Sequence, residues 1–288
     1  MIELKEVSYH YTDGTKALHE VSLTITAGRK IAVLGNNGAG KSTLFLHLNG
    51  LLRPTEGQLL FNGSPFTYKR KQLQELRRQV GLVFQNPDTQ LFSPTVREDV
   101  LYGPSNLEWE QERIEQAAKQ AMEQTGVLEF QHKPPHFLSI GQKKRAAIAS
   151  VLAMQPKLLV LDEPTAGLDP YYARKILHLL TDWHHEETTI MLSTHDVDFA
   201  YEWADEILVM KQGSIQAFGR TVDIFNKPEL LADCHLERPW IMEVYAALQI
   251  DETQKMETIP RSKPELLEWI MKKTTKDRGN FTERILLK

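Results

Sequence analysis

A glycine-rich segment near the N-terminus has the residue types and spacing of a phosphate-binding loop. It fits the pattern G-x-x-x-x-G-K-[ST], follows the apolar run 30–34 and precedes an apolar helix that we expect to begin near Thr43. Glycines let successive backbone N–H groups point inward around phosphate oxygens, with a helix N-terminus behind them. Lys41 adds a cation for the β and γ phosphates, and the Ser42 hydroxyl can ligate Mg²⁺. The predicted nucleotide-binding residues of this loop are Gly35, Asn36, Asn37, Gly38, Ala39, Gly40, Lys41, Ser42 and Thr43.

Two adjacent carboxylates, Asp162 and Glu163, follow the apolar run 158–161. Unpaired charge at the end of a buried strand is costly, so the pair needs a reason to be there. Asp162 is suited to holding Mg²⁺, and Glu163 to orienting or deprotonating an attacking water. The alternative is an exposed acidic turn before Pro164, since Asp-Glu-Pro is ordinary in loops.

Gln85 and His195 stand in the same relation to two other apolar runs, 80–84 and 188–194. In open parallel sheets, ligands bind beyond the carboxyl ends of the strands. We therefore expect both side chains to share one sheet edge with the glycine-rich loop and the two carboxylates. We predict that Gln85 and His195 act with Glu163 in catalysis, and that Gln85 joins Ser42 and Asp162 around Mg²⁺. For His195 alone, a satisfied structural histidine is the alternative.

The segment 138–145, Leu-Ser-Ile-Gly-Gln-Lys-Lys-Arg, opens an apolar helix. Ser139 and Gln142 have capping-box spacing, which predicts a well-capped helix start. With Gly141 in the first turn, such a start is also an anion site, because free N–H groups and the helix dipole favour negative charge. The basic run 143–145 is interpreted as a solvated helix face.

Short apolar runs alternate with helical stretches along the chain, which predicts an α/β fold with a mostly parallel sheet. Residues 21–25 instead alternate apolar and polar positions, as in a half-buried strand, and residues 87–156 lack a convincing strand run. We predict a domain over residues 1–235 with a helical insertion at about 87–156. A small helical extension follows at 236–288, with apolar faces after Pro239 and after a capping box formed by Ser262 and Glu265.

Composition excludes several classes of protein. The 288 residues carry a net charge of −4, so no overall positive field indicates nucleic acid as a partner. Cys234 is the only cysteine, which excludes an intramolecular disulfide and a cysteine zinc site, and suits the cytosol. No run of about 18 apolar residues occurs, so we expect any membrane role to depend on a partner.

Taken together, residues 1–220 resemble the nucleotide-binding domains of the ATP-binding cassette family. The matching segments, in family order, are 35–43, Gln85, 138–142, 158–163, 166–169 and 193–195. The resemblance implies a P-loop NTPase fold with a mostly parallel core sheet, an N-terminal antiparallel β subdomain, a helical signature insertion and a small, mainly helical C-terminal extension. It implies ATP and Mg²⁺ as cofactors, and two cassettes packed head to tail with each ATP between one phosphate loop and the other subunit's signature.

Individual roles follow from the same resemblance. It implies that Tyr11 stacks on adenine, that Glu163 is the general base and that His195 contacts the γ-phosphate. Ser139, Gly141 and Gln142 would bind the partner's nucleotide, and Asp169 would lie at the dimer seam. Ile140 departs from the family, which usually has glycine there; if this position needs a positive φ, the site is strained or weakened.

Within the family, residues 84–96 and 98–100 are similar to the ATPases of energy-coupling factor and of cobalt or nickel importers, as is the C-terminal extension. This implies a transmembrane scaffold and a substrate-binding membrane subunit as partners, at the cytoplasmic face of the cell membrane, with a vitamin or a transition metal ion as cargo. Residues 85–92 would line the groove for a coupling helix; alternatively, Leu91 and Phe92 only pack the insertion. A cassette ATPase acting in DNA repair or translation, and a P-loop kinase or GTPase, remain as alternative functions.

Overall fold

A computed structural model describes residues 2–248 and 259–273, which form two β-sheets surrounded by helices. The strands are β1 (Ile2–His10), β2 (Lys16–Ile25), β3 (Lys30–Leu34), β4 (Glu56–Phe61), β5 (Ser64–Pro65), β6 (Val80–Val83), β7 (Leu158–Leu161), β8 (Thr189–Ser193), β9 (Glu206–Lys211) and β10 (Ser214–Arg220). The helices are α1 (Lys41–Leu48), α2 (Arg70–Gln79), α3 (Val96–Ser105), α4 (Gln111–Thr125), α5 (Ile140–Leu152), α6 (Pro170–Trp183), α7 (Val197–Trp203), α8 (Thr221–Phe225), α9 (Pro228–Asp233), α10 (Trp240–Leu248) and α11 (263–273).

The larger sheet has six strands in the order β10-β9-β3-β8-β7-β6, and only the β9–β10 pair in it is antiparallel. Its central strands read as continuous apolar runs because both faces are covered. In β7, Leu158 and Val160 pack into one hydrophobic cluster, whereas Leu159 and Leu161 pack into another on the opposite face. The sheet therefore holds the carboxyl ends of β3, β6, β7 and β8 rigidly at one edge.

The second sheet is antiparallel, with strand order β2-β1-β4-β5. In β2 the predicted alternation is present: Val21, Leu23 and Ile25 are buried, and the residues between them are exposed. Helix α1 places Leu44 and Phe45 in the cluster that joins the two sheets. The phosphate-loop helix is thus packed between the sheets, which fixes its N-terminus.

Residues 87–156 contain α3, α4 and α5, which pack against one another, with α5 also lying on β6. Gly81 of β6 has no room for a side chain, since an added Cβ would meet Val151 of α5. This close approach joins the helical layer to the sheet. The limits of the insertion and of the two domains stay predictions.

The described part of the C-terminal extension packs onto the main core through Ile241, Tyr245 and Leu266. Val244 and Leu248, predicted on the same apolar face, are exposed. In the predicted capping box at Ser262, the Glu265 carboxylate accepts a hydrogen bond from the Arg261 N–H at 2.9 Å, one residue before the donor that a capping box uses. Residues 249–258 and 274–288 of the predicted extension lie outside the described residues.

Across residues 2–248 and 259–273, none of the helices combines the length and the apolar character needed to cross a bilayer.

Candidate nucleotide-binding and catalytic site

The glycine-rich loop connects β3 to α1 and contains glycines that its backbone conformation requires. Gly38 and Gly40 have φ angles of 79° and 99°, which L side chains rarely adopt. An added Cβ at Gly40 would also lie 2.6 Å from the backbone oxygen of Ala17. Helix α1 begins at Lys41, two residues before the predicted start near Thr43. The free N–H groups of its first turn thus lie directly behind the loop, as an anion site requires.

Lys41 lies across the inside of this loop. Its ammonium donates to the backbone oxygens of Gly35 at 2.6 Å and Asn36 at 3.2 Å. Burial lowers the pKa of Lys41, and the carboxylates of Glu163 and Asp162 oppose that shift. Asn36, Asn37, Gly38 and Ser42 are exposed around it, whereas Ala39 and Thr43 are buried. The loop therefore holds the Lys41 cation inside it and leaves Asn36, Asn37 and Gly38 exposed around that cation.

Tyr11 lies beside the loop, where its phenol oxygen and the Thr43 hydroxyl are 3.0 Å apart. Its ring packs edge-on against Tyr9, which in turn packs edge-on against the buried His47 of α1. An aromatic ring that is held in this way and is still 38% exposed offers a surface on which a flat base can stack. This placement suits the predicted contact with adenine.

Asp162 and Glu163 follow β7 and have different surroundings. Asp162 is buried and its Oδ1 accepts a hydrogen bond from the Ser193 hydroxyl at 2.7 Å. The same hydroxyl accepts the Glu163 N–H at 2.8 Å. An exposed acidic turn is therefore the wrong interpretation of this pair. Ser193, the last residue of β8, had no predicted role in the site, because its contact with β7 depends on the parallel pairing of two distant strands.

Gln85 and His195 both reach the Glu163 carboxylate. The Gln85 Nε2 donates to Oε2 at 3.0 Å, and the His195 Nδ1 lies 3.8 Å from Oε1. With a side chain that is 72% exposed, His195 is not a satisfied core histidine. The predicted catalytic residues thus meet at one carboxylate, beyond the ends of β6, β7 and β8.

Ser139, Gly141 and Gln142 lie at the N-terminus of α5, where the capping box is complete. Among the described residues, no hydrogen bond connects this helix start with the glycine-rich loop. Asp169 caps α6, accepting from the N–H groups of Tyr171 and Tyr172 at 2.9 and 3.0 Å. One chain therefore brings the carboxylates, Gln85 and His195 together near the loop, whereas the α5 start makes no hydrogen bond to that loop within the described residues.

Residues 18–166 match the family model described as ABC transporter. The energy-coupling factor transporter ATP-binding protein EcfA of Methanocaldococcus jannaschii is 47% identical over 260 residues, covering 90% of this chain and 91% of that protein. A Methanosarcina mazei relative is 43% identical over 267 residues, and this chain spans 59% of its length.

Two solved structures resemble the fold closely. Clostridium perfringens cbiO1, described as part of the ABC transporter complex cbiONQ, has a TM-score of 0.71 at 41% identity, covering 85% of this chain and 98% of that one. The dimeric ATP-binding cassette MJ0796, bound to ADP and Pi after hydrolysis, has a TM-score of 0.68 at 29% identity, covering 77% of this chain and 99% of that one.

The chain belongs to the ATP-binding cassette (ABC) transporter family. The predicted P-loop NTPase fold is confirmed, as are the predicted ATPase activity and the resemblance to energy-coupling factor ATPases. A kinase or a GTPase is thereby excluded.

The backbone conformation of Ile140 shows whether this residue strains the signature segment 138–142. This residue is the first of α5 and has no positive φ, so a β-branched side chain is not strained there. Its side chain is 45% exposed beside Ser139. Backbone strain therefore does not weaken the signature in this cassette.

The basic run 143–145 of the signature helix is not the solvated face that its composition suggests. Lys144 is only 5% exposed and donates to the backbone oxygen of Glu163 at 2.9 Å. Burial lowers its pKa to about 8, opposed by the carboxylates of Glu163 and Asp162. Arg145 donates to the backbone oxygens of Thr125 and Gly126 at the end of α4. Helical spacing was the signal in the sequence for the burial of Lys144, since this residue lies three positions after Gly141 and four before Ile148, both of which are buried.

Proposed function

We propose that this chain is the ATP-hydrolysing subunit that powers an importer of the energy-coupling factor type, bound to the cytoplasmic face of the cell membrane. The observation that carries the proposal is the convergence of Gln85 and His195 on the Glu163 carboxylate, beside a phosphate-binding loop whose Lys41 is held inside it. ATP hydrolysis and the contact with the membrane partner would involve different parts of the surface.

The donor set suits Mg²⁺. The ion prefers oxygen ligands and keeps phosphate oxygens and waters as part of its shell, with only one or two carboxylates from the protein. The Ser42 hydroxyl, the Asp162 carboxylate and the Gln85 amide oxygen would hold it. Within the described residues no group of three or more His, Cys, Asp or Glu side chains could hold a metal by itself, so phosphate would complete the site. When bound, the ion would neutralise charge on the β and γ phosphates.

Glu163 is placed to orient and deprotonate the water that attacks the γ-phosphate. The two ends of the Gln85 amide suit this arrangement, because Nε2 already donates to Glu163 while the amide oxygen stays available as a ligand. His195 would contact the γ-phosphate, and Lys41 would stabilise the charge that develops on it. Tyr11 would stack on adenine at the far side of the loop.

We further propose that two cassettes form the working unit, either identical or related. The N-terminus of α5 then supplies Ser139, Gly141 and Gln142 to the partner's nucleotide, and Asp169 lies at the seam between them. Ser139 and Ile140 are exposed at this helix start, and the N–H groups that the capping box does not use would face that phosphate together with the helix dipole. The C-terminal extension would stabilise the pair.

The scaffold subunit would dock in a groove of about 810 Å³ between α2, α3 and α5. Leu91 is buried in the core, as the packing alternative expects, but Phe92 is 67% exposed and packs edge-on against the exposed Tyr102. Asp99 holds the turn in place by accepting the N–H groups of Phe92 and Ser93 at 3.1 Å. Two presented aromatic rings suit a cytoplasmic helix of a membrane protein.

Purification from native membranes tests the partner. A Glu163→Gln chain purified in ATP should retain a transmembrane scaffold and a substrate-binding membrane protein, which mass spectrometry would identify together with the cargo class, metal ion or vitamin. Adding Phe92→Ser should release these proteins, whereas Phe218→Ser, at an exposed phenylalanine of β10, should not. Recovery with ribosomes or DNA, and never with a membrane protein, would instead favour the DNA-repair or translation alternative.

A further inference from the structure

Glu163 has an unusual backbone conformation for a catalytic residue with a full side chain. Its φ is +44°, in the left-handed region where a Cβ crowds the backbone. Such conformations persist only where the surroundings impose them. The contacts of the Glu163 peptide groups therefore decide where its carboxylate points.

Contacts on both sides of Glu163 impose this conformation. On the amino side, its N–H donates to the Ser193 hydroxyl at 2.8 Å. On the carboxyl side, its backbone oxygen accepts from the Ala166 N–H at 3.1 Å and from the Lys144 ammonium at 2.9 Å. Of these partners, Ala166 belongs to the loop that carries Glu163 and Ser193 ends the neighbouring strand β8, whereas Lys144 alone comes from a helix.

Lys144 is held in place for this contact. It is 5% exposed, and it lies on α5 between the buried residues Gly141 and Ile148. A lysine that served only to pack the helix would extend its ammonium to water, because burying the charge is costly. Here the side chain instead extends inward, where the two carboxylates and a carbonyl oxygen compensate the charge.

We infer that Lys144 is a positioning residue that holds the Glu163 backbone in its strained conformation and thereby links the signature helix to the catalytic carboxylate of the same chain. Lys144 lies five residues after Ser139, at the start of the same helix. A movement of α5 towards the partner's nucleotide would thus be transmitted to Glu163 in the chain's own site. The inference rests on Glu163 being the general base.

Replacing Lys144 with methionine tests the inference, since the side chain keeps its length and loses its donors. Lys144→Met should lower kcat for ATP hydrolysis by about tenfold or more while KM and ATP affinity stay within about twofold, because the nucleotide contacts are intact. Lys143→Met is the matched control: its ammonium pairs with the exposed Asp88 at 2.7 Å, and its kcat should match the unsubstituted protein. Lys144→Arg, which keeps a donor, should recover part of the loss.

A double substitution separates positioning from a general loss of structure. If Lys144 acts through Glu163, then adding Lys144→Met to Glu163→Gln should lower the residual turnover no further. Additive losses, or a kcat unchanged in Lys144→Met, would overturn the inference. Should Lys144→Met fail to bind ATP, Lys144→Gln and its pair with Glu163→Gln provide the same comparison. Normal turnover in Glu163→Gln alone would contradict the assignment of the base itself, which is a distinguishable result.

Discussion

Ser193 shows how much of this site depends on one small residue. Its hydroxyl donates to Asp162 and accepts from the Glu163 N–H, and its side chain is fully buried at the end of β8. Neither contact could be read from the sequence, since Ser193 lies 31 positions after Asp162 and 30 after Glu163 and meets them only through the β7–β8 pairing. The apolar run and the family order predicted the place of His195, but not the function of a serine two positions earlier.

Ser193→Ala should weaken both the fold and the metal site. A buried carboxylate oxygen and a backbone N–H would each lose a partner, which costs about 1–3 kcal/mol of unfolding free energy. The freed Asp162 would also be less well oriented, so the Mg²⁺ concentration needed for half-maximal ATPase should rise. Urea unfolding and a Mg²⁺ titration measure the two effects, with Ser105→Ala on the exposed end of α3 as the control. Unchanged values in both assays would contradict the role given to this hydroxyl.

His47 should contribute to loss of stability in acid. Its Nδ1 lies 2.7 Å from the Thr43 backbone oxygen, its Nε2 has no hydrogen-bond partner among the described residues, and burial lowers its pKa below the ordinary 6.5. The His47 side chain therefore binds a proton more readily in the unfolded chain than in the folded one. The stability that neutral His47 contributes is present above about pH 6.5 and is lost as the pH falls below that value. Between about pH 7.5 and 5.5, the free energy of unfolding, measured with urea, should fall less in His47→Gln than in the unsubstituted protein. His178→Gln, at an exposed histidine, should behave like the unsubstituted protein.

Among the elements, α5 combines three tasks. Its N-terminus is capped for a phosphate, Lys144 holds the Glu163 backbone, and Arg145 caps the end of α4 through two carbonyl oxygens. The capping box was predictable, because it depends on residues three apart. Helical spacing indicated the buried position of Lys144, but the partners of Lys144 and Arg145 could not be predicted, since they come from loops and helix ends that only the tertiary packing of α5 brings near.

Ile140→Gly tests the start of α5. Because Ile140 already has a helical backbone without positive φ, glycine has no strain to relieve there. ATPase turnover should stay within about twofold, and unfolding free energy should fall by up to about 1 kcal/mol through the backbone entropy of glycine. Steady-state phosphate release and urea unfolding measure these quantities, with Ile140→Ala separating loss of the side chain from backbone freedom. A large gain in turnover would show that Ile140 impairs the signature by its bulk.

On the scale of the whole molecule, the sequence predicted the sheet edge better than the surfaces around it. Four loops follow four buried strands, and the parallel order of those strands brings the loops together for a topological reason. The exposure of Val244 and Leu248 could not be predicted in this way, because their helical periodicity is the same whether the apolar face meets the core or a partner. The start of α5 is a similar feature, because it would bind a nucleotide held by another subunit and not one held by its own chain.

If each ATP lies between the phosphate loop of one subunit and the signature of the other, two inactive variants should restore each other. Lys41→Ala removes the phosphate cation, and Ser139→Arg blocks the start of α5. A mixed pair then has one site that carries both substitutions and one that carries neither. In an equal mixture about half of the pairs are mixed, so turnover should recover to about a quarter of the unsubstituted rate. Phosphate release measured on each variant alone and on the mixture gives the comparison, and a mixture of Lys41→Ala with Lys41→Ala/Ser139→Arg, which forms no complete site, is the control. A mixture no faster than its components would contradict sites shared between subunits, because sites complete within one chain cannot be repaired by a partner.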